Sequence, residues 1–455
     1  MRKIIPLLML SGVLHASLAY ADIDAGFKAA EKKDFATALK EWQPLAEKGN
    51  NVAQFHLGVL YAKGQGVPQN YAKAAEWYRK AADQGYSSAQ HNLGAFYYKG
   101  WGVTKDYEQA FILFSKAAAQ NVPTAQFRLG VMYELGQGVS KNSSEALIWF
   151  RKAAELGDAE AQVQMGHIYF TGTGVPKDKA QAAAWFRKAA DQGDSDGQLN
   201  LAFMLNNGEG INKDAQQAFE WYLKAAEQGQ AIAQYNVAFM YDKGLIVPQD
   251  HAKAFTWYGK AAEQGDRSAQ LSLGYLYNQG RGVKQDYAQA LAWYSKAAAQ
   301  GVATAQFNVA AMYLDGEGVT QDNAQAYSWF HKAADQGHAA SQFYVGIFHV
   351  NGTGAPRDFP LALSWFRKAA DQGNGDAQSA LAAMYDKGAA VSQNKIIASA
   401  LYTLAASSNT EGAKTSRDKI LMTMSAESAD AAQKLSIQMS TPGNLLRAID
   451  QYAAK

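Results

Sequence analysis

Two places in the 455-residue chain carry the spacing of a lysine-activated serine nucleophile, Ser392-x-x-Lys395 and Ser416-x-x-Lys419. On a helix, positions three apart share a face, so the amine could take the serine proton. The pattern fixes only two positions, and no SDN or KTG motif accompanies it. The eight histidines are scattered without HExxH or another ligand spacing, and the absence of cysteine removes thiolate nucleophiles, thiolate metal sites and disulfides together. The many Gly-x-Gly sequences lack both GxGxxG and the Gly-Lys-Ser/Thr of a phosphate loop. The chain is therefore expected not to be an enzyme and to need no cofactor or metal. A β-lactam-interacting hydrolase stands only as an alternative.

Recognition is the chemistry that the residue types favour. One track, stepping by 36 residues, reads Phe55, His91, Phe127, Val163, Leu199, Tyr235, Leu271, Phe307 and Phe343. Beside it run His56, Asn92, Arg128, Gln164, Asn200, Asn236, Ser272, Asn308 and Tyr344, and a third track carries Phe203, Phe239 and Tyr275. Rings can bury the side chains of a peptide while amides satisfy its backbone. The candidate partner-binding residues are therefore Phe127, Arg128, Asn200, Phe203, Tyr235, Asn236, Phe239, Tyr275, Phe307, Asn308, Phe343 and Tyr344. Arg128 is the one fixed cation of the second track, which argues against a dedicated carboxylate clamp. Trp101 joins the candidates from a different place, the variable middle of a Gly-x-Gly elbow. Rings at such spacing can equally pack neighbouring helices, and aromatic-amide surfaces also suit sugars, so a glycan or peptidoglycan-fragment binder is the second alternative.

The elements that hold these tracks repeat every 36 residues, most cleanly from Gly265 to Gln300. A period of this length marks a stacked array. Each unit begins near an Ala-Gln pair with apolar residues at helical spacing, as in Ala53, Gln54, Leu57 and Tyr61. The recurring glutamine is expected to bond loop backbone. A glycine suited to a left-handed C-terminal position closes the first helix, and a second glycine turns the chain. Ile246 and Ala390 replace that second glycine, so their elbows are expected to differ in shape. The second helix starts at Asp or Asn in all ten frames, and Gln or Glu three residues later, as at Gln109 or Gln289, predicts a capping box. Within it, a Trp-aromatic pair such as Trp77-Tyr78 is expected in the core, and the lysine that follows, Lys80 or Lys296, on a solvated face.

This combination, AQxxLGxxYxxGxGV followed by DxxxAxxWYxKAAxxG, resembles the Sel1-like repeats, relatives of the tetratricopeptide repeat. The resemblance implies an all-α, right-handed α-solenoid of antiparallel hairpins whose first helices line a concave surface. It also implies adaptor work: a protein or peptide partner held on that surface.

The ends depart from the period. Residues 1–21 read as a secretory signal, with Arg2 and Lys3 before an apolar run and Ala19-Tyr20-Ala21 as a cleavage site, which predicts a periplasmic or secreted protein cut after Ala21. Residues 22–49 are expected to form an N-terminal capping hairpin, 50–408 ten repeats, and 409–455 C-terminal capping helices. Without Arg2 and Lys3 the chain holds 41 basic and 41 acidic residues, a balance that gives no field for nucleic acid. No later stretch is apolar for long enough to predict stable membrane insertion. Oligomeric state is left open.

Overall fold

The computed structural model describes residues 23–454, and the predicted signal segment lies outside them. The described residues divide into two compact units, before and after Gly229. Both are stacks of antiparallel helix hairpins, with no strand among the described residues. The first unit opens with a hairpin of residues 23–31 and Phe35–Glu47, closed by the indole of Trp42 donating to the Ile23 carbonyl at 3.3 Å. Hairpins of two 13-residue helices follow, beginning with Asn51–Lys63 and Tyr71–Asp83. The second unit begins with the hairpin Ala231–Lys243 and His251–Glu263 and ends in three helices of a different kind, Ala413–Leu421, Ala426–Met439 and Leu445–Ala453.

Local chemistry sets each boundary. First helices end at a left-handed glycine, such as Gly64 at φ 67°, whose N–H bonds the carbonyl four residues back. Second helices are capped by their Asp or Asn: Asp286 accepts from the Gln289 N–H at 3.0 Å. The reciprocal half of the predicted capping box does not form. The cap's own N–H is already taken by the first helix, Asp286 donating to the Tyr277 carbonyl and Asp106 to Tyr97 at 3.0 Å each. This bond ties the two helices of a hairpin together and leaves a glutamine at the third position no free cap N–H; Gln217 reaches back to the Asp214 carboxylate instead, donating at 2.7 Å.

The second elbow glycine serves the stack. A Cβ at Gly282 would stand 2.2 Å from the His251 carbonyl oxygen, at the start of the previous repeat's second helix. Contrary to expectation, Ile246 and Ala390 keep this elbow's shape, with φ 68° and 59° in place of a glycine's freedom. Left-handed φ costs roughly 1–2 kcal/mol in a residue with a Cβ, and most in a β-branched one. Ile246→Gly should therefore raise stability by about 1 kcal/mol despite the greater entropy glycine brings to the unfolded chain. A thermal melt unchanged or lowered by the substitution would show the strain to be absent.

The recurring glutamines do reach backbone, but it is the last turn of the preceding second helix: Gln54 Nε2 donates to the Ala46 carbonyl at 3.0 Å, and Gln270 to Ala262 at 3.1 Å. The Trp-aromatic pairs also divide in two. The second member is buried throughout, whereas the tryptophan is half-buried in all but Trp365. Its outer face carries the lysine three residues on, at 4.0 Å for Lys80 on Trp77 and 3.6 Å for Lys296 on Trp293. Those lysines are exposed, on the solvated face expected for them. The ring's negative face, one turn away, draws them down.

Candidate functional site

In the second unit, three first helices, Ala231–Lys243, Arg267–Gln279 and Ala303–Asp315, carry side chains to one cavity of about 310 Å³. Tyr235 and Phe239 lie four residues apart, hence on one helical face, with ring centroids 6.3 Å apart and nearly parallel. Tyr275 forms part of the wall, and Leu271, Ser272 and Asn308 complete the lining from the neighbouring helices. Phe239 and Tyr275 are 37% and 39% exposed, so two rings of the cavity wall present apolar surface to a partner.

Asp242 gives the cavity its polar end. It is 7% exposed, with one carboxylate oxygen 2.8 Å from the Lys243 amine and the other 3.1 Å from His251 Nδ1. A buried carboxylate of this kind is stable because it is paired on both sides. Tyr235 and Tyr258 share Ser272 as a hydrogen-bond partner, and burial pushes both phenols above their usual range. They stay protonated, so the cavity offers neutral hydroxyl donors beside a neutralised acid. Cations stand over two of the rings: Lys243 lies 5.9 Å from the Phe239 centroid, and the Arg281 guanidinium 5.4 Å from that of Tyr275. Such a site can bury one apolar or aromatic side chain and bond a neighbouring peptide group.

Four candidates, Tyr235, Phe239, Tyr275 and Asn308, thus meet in one place. Others are spent on packing. Tyr344 stacks on Phe330 with centroids 4.6 Å apart, Phe307 lies 5.4 Å from Phe330, and Phe343 lies 5.9 Å from Phe366. Asn200 and Asn236 donate to carbonyls four residues back on their own helices, at 2.8 and 3.0 Å. In the first unit, Phe127 lies 5.6 Å from Phe150, and Arg128 reaches over the Phe127 ring to pair with Glu160 at 3.4 Å. Phe203 is 42% exposed, with Phe170 as a ring neighbour. Trp101 lies back on the neighbouring hairpin, stacked at 14° and 5.5 Å on Tyr71. Asp242 was missed, although it is an acid at a position where most frames carry Ala, Tyr, Phe, Asn, Leu or Val.

The serine-lysine spacings divide as well. Ser416, Lys419 and Lys395 line one cleft with Tyr402, but the Lys395 amine is donated to the Thr423 hydroxyl at 3.1 Å. Among the described residues no group of His, Asp and Glu could hold a metal, and no helix is long and apolar enough to cross a membrane.

The Sel1 repeat model matches ten consecutive segments, from residues 51–86 to 375–409. The chain belongs to the Sel1 repeat family. Its Sel1 array resembles a protective antigen present in uropathogenic Escherichia coli strains and displaying an SLR fold, at 35% identity over 99% of this chain and 98% of that one, with a TM-score of 0.82. A Sel1 repeat protein from Oxalobacter formigenes is also 35% identical, over 68% of this chain and 90% of its own, with a TM-score of 0.51. No curated protein matches. Sel1 solenoids are typically non-catalytic scaffolds for protein interaction, and the fold described above is of that kind.

Proposed function

We propose that this Sel1 repeat protein is an exported, non-enzymatic adaptor that binds a protein or peptide partner on the first-helix face of its sixth to eighth repeats. The observation that carries the proposal is the cavity walled by Tyr235, Phe239 and Tyr275, with paired Asp242 at its polar end. Exposed rings around a desolvated polar group form the usual centre of a binding hot spot. Export follows from the charged and apolar composition of residues 1–21, and the mature chain should begin at Asp22 by N-terminal sequencing.

The partner is to be captured by crosslinking in cells and its affinity then measured on purified proteins. Phe239→Ala with Tyr275→Ala removes two rings that are over a third exposed, so the hairpins should fold as before. Loss of two hot-spot rings should weaken the complex by at least about tenfold, near 1.4 kcal/mol. Equal affinity would move the site off this face. Calorimetry with muropeptides distinguishes the glycan alternative: saturable binding lost in the same double variant would replace the protein partner with a sugar.

A further inference from the structure

Beside most of the recurring first-helix glutamines stands a second one, at the end of the same repeat's second helix. In eight repeats its Nε2 donates to the first glutamine's Oε1, as from Gln84 to Gln54 at 2.7 Å or from Gln300 to Gln270 at 2.9 Å. Where the bond is bifurcated, the same amide also reaches the glycine carbonyl that ends the previous repeat, Gln300 to Gly265 at 3.0 Å and Gln120 to Gly85 at 3.1 Å. Each such rung is one primary carboxamide sitting on two converging carbonyl oxygens.

Two repeats lack the donor. Leu156 and Ser408 occupy the position, and in those repeats Gln126 Oε1 and Gln378 Oε1 are buried without a partner. Both glutamines still give their Nε2 to the preceding helix, Gln126 to Ala118 at 3.2 Å and Gln378 to Ala370 at 3.3 Å, which leaves the carbonyl end facing the gap. The two residues are 2% and 6% exposed. A cavity lies at each break, about 360 Å³ at the first and 390 Å³ at the second. Each is lined by both parts of the acceptor pair, Asn121 with Gln126 and Gly373 with Gln378. An orphaned buried acceptor is costly, and any donor that reaches it recovers that cost.

We propose that the two broken rungs are binding sites for a primary carboxamide, the side chain of a glutamine in a partner polypeptide. The incoming amide takes the place that the chain's own glutamine fills in eight repeats and donates to the same oxygens. Leu156 is half exposed, so its rotation can uncover Gln126, and Ser408 is too short to fill its gap. These sites are separate from the aromatic cavity and do not depend on it.

The test uses the full mature chain and the peptide acetyl-Gly-Gln-Gly-dimethylamide, in which the glutamine side chain is the one primary carboxamide, followed by saturation-transfer NMR. Two control peptides keep the backbone and remove the donor, one with Glu and one with the γ-dimethylamide of Gln. Restoring both rungs with Leu156→Gln and Ser408→Gln should abolish binding and raise the melting temperature. Leu156→Ala with Ser408→Ala should keep binding, which separates blocked sites from general perturbation. The Gln peptide should bind at least about tenfold more tightly than either control. Equal binding of the dimethylamide, persistence of binding in the restored variant, or no saturable binding to the wild type would each overturn the proposal.

Discussion

Gly282→Val should be among the most damaging single changes in the second unit, with a loss above about 4 kcal/mol, in the range kept for severe packing defects. Two costs combine. The φ of 69° places any β-branched residue in the left-handed region. The new Cβ would also lie 2.2 Å from the His251 carbonyl oxygen and 2.3 Å from its carbon. Backbone held in a capped helix yields less readily than a side-chain tip. The elbow one repeat earlier carries the β-branched Ile246 at φ 68° in a hairpin whose sequence suits it, whereas the Gly282 elbow is packed with no room for a Cβ. Gly265→Ala isolates the first cost, since its φ is 92° and nothing lies within 4 Å of the added Cβ. That control should lose only about 1–2 kcal/mol. Stacked arrays can unfold in parts, so hydrogen exchange in helix His251–Glu263 is the measurement to set beside the melt. Gly282→Val within 1 kcal/mol of the control, an interval well below one rung of severe damage, would mean that the repeats tolerate a looser stack.

The same contact shows what could be read from the chain alone. The period, elbow glycines and Asp or Asn caps are local features, each forced by backbone sterics or an orphan N–H, and they stand where expected. Contacts between helices were harder to see. The capping box failed because the cap N–H belongs to a carbonyl nine residues earlier, a partner that no four-residue pattern contains. The second glutamine was visible as a 36-residue recurrence from Gln84 to Gln372, broken at Leu156, yet its meaning depends on the first glutamine lying opposite it. The aromatic tracks make the point most directly. Phe307 and Phe343 on the first track lean on the buried rings Phe330 and Phe366, whereas Phe239 and Tyr275 on the third, one helical turn further, emerge to more than a third exposure. Identity and spacing gave both tracks equal claim. Depth within the hairpin separates them.

Acid should unfold the first unit earlier than its carboxylates alone would require, because two of its histidines are held neutral. His56 is packed by Phe27 and Trp42, each 4.8 Å away between centroids, and burial lowers its pKa to about 4. His91 lies 5.5 Å from Phe114, with Nδ1 buried and unbonded, and burial, aided by the charge of Arg128, lowers it to about 4 as well. Above the unfolded value near 6.5 both states are neutral, so neither histidine affects stability. As pH falls below about 6.5 the unfolded chain takes up the proton first, and each histidine removes about 1.4 kcal/mol per pH unit until the folded form titrates near pH 4. The full penalty is on the order of 3 kcal/mol apiece, nearer 2 for His56 once its partial solvent contact is allowed for. His56→Phe with His91→Leu removes both groups while filling their places with apolar atoms. Urea unfolding of the first unit in the double variant should show a flatter dependence between pH 6.5 and 4, where these two groups titrate, with any change at pH 8 a constant offset from packing and desolvation. A slope identical to wild type would mean that the rings are already hydrated in the folded protein, and with it that the array's packing opens at the histidines before it unfolds.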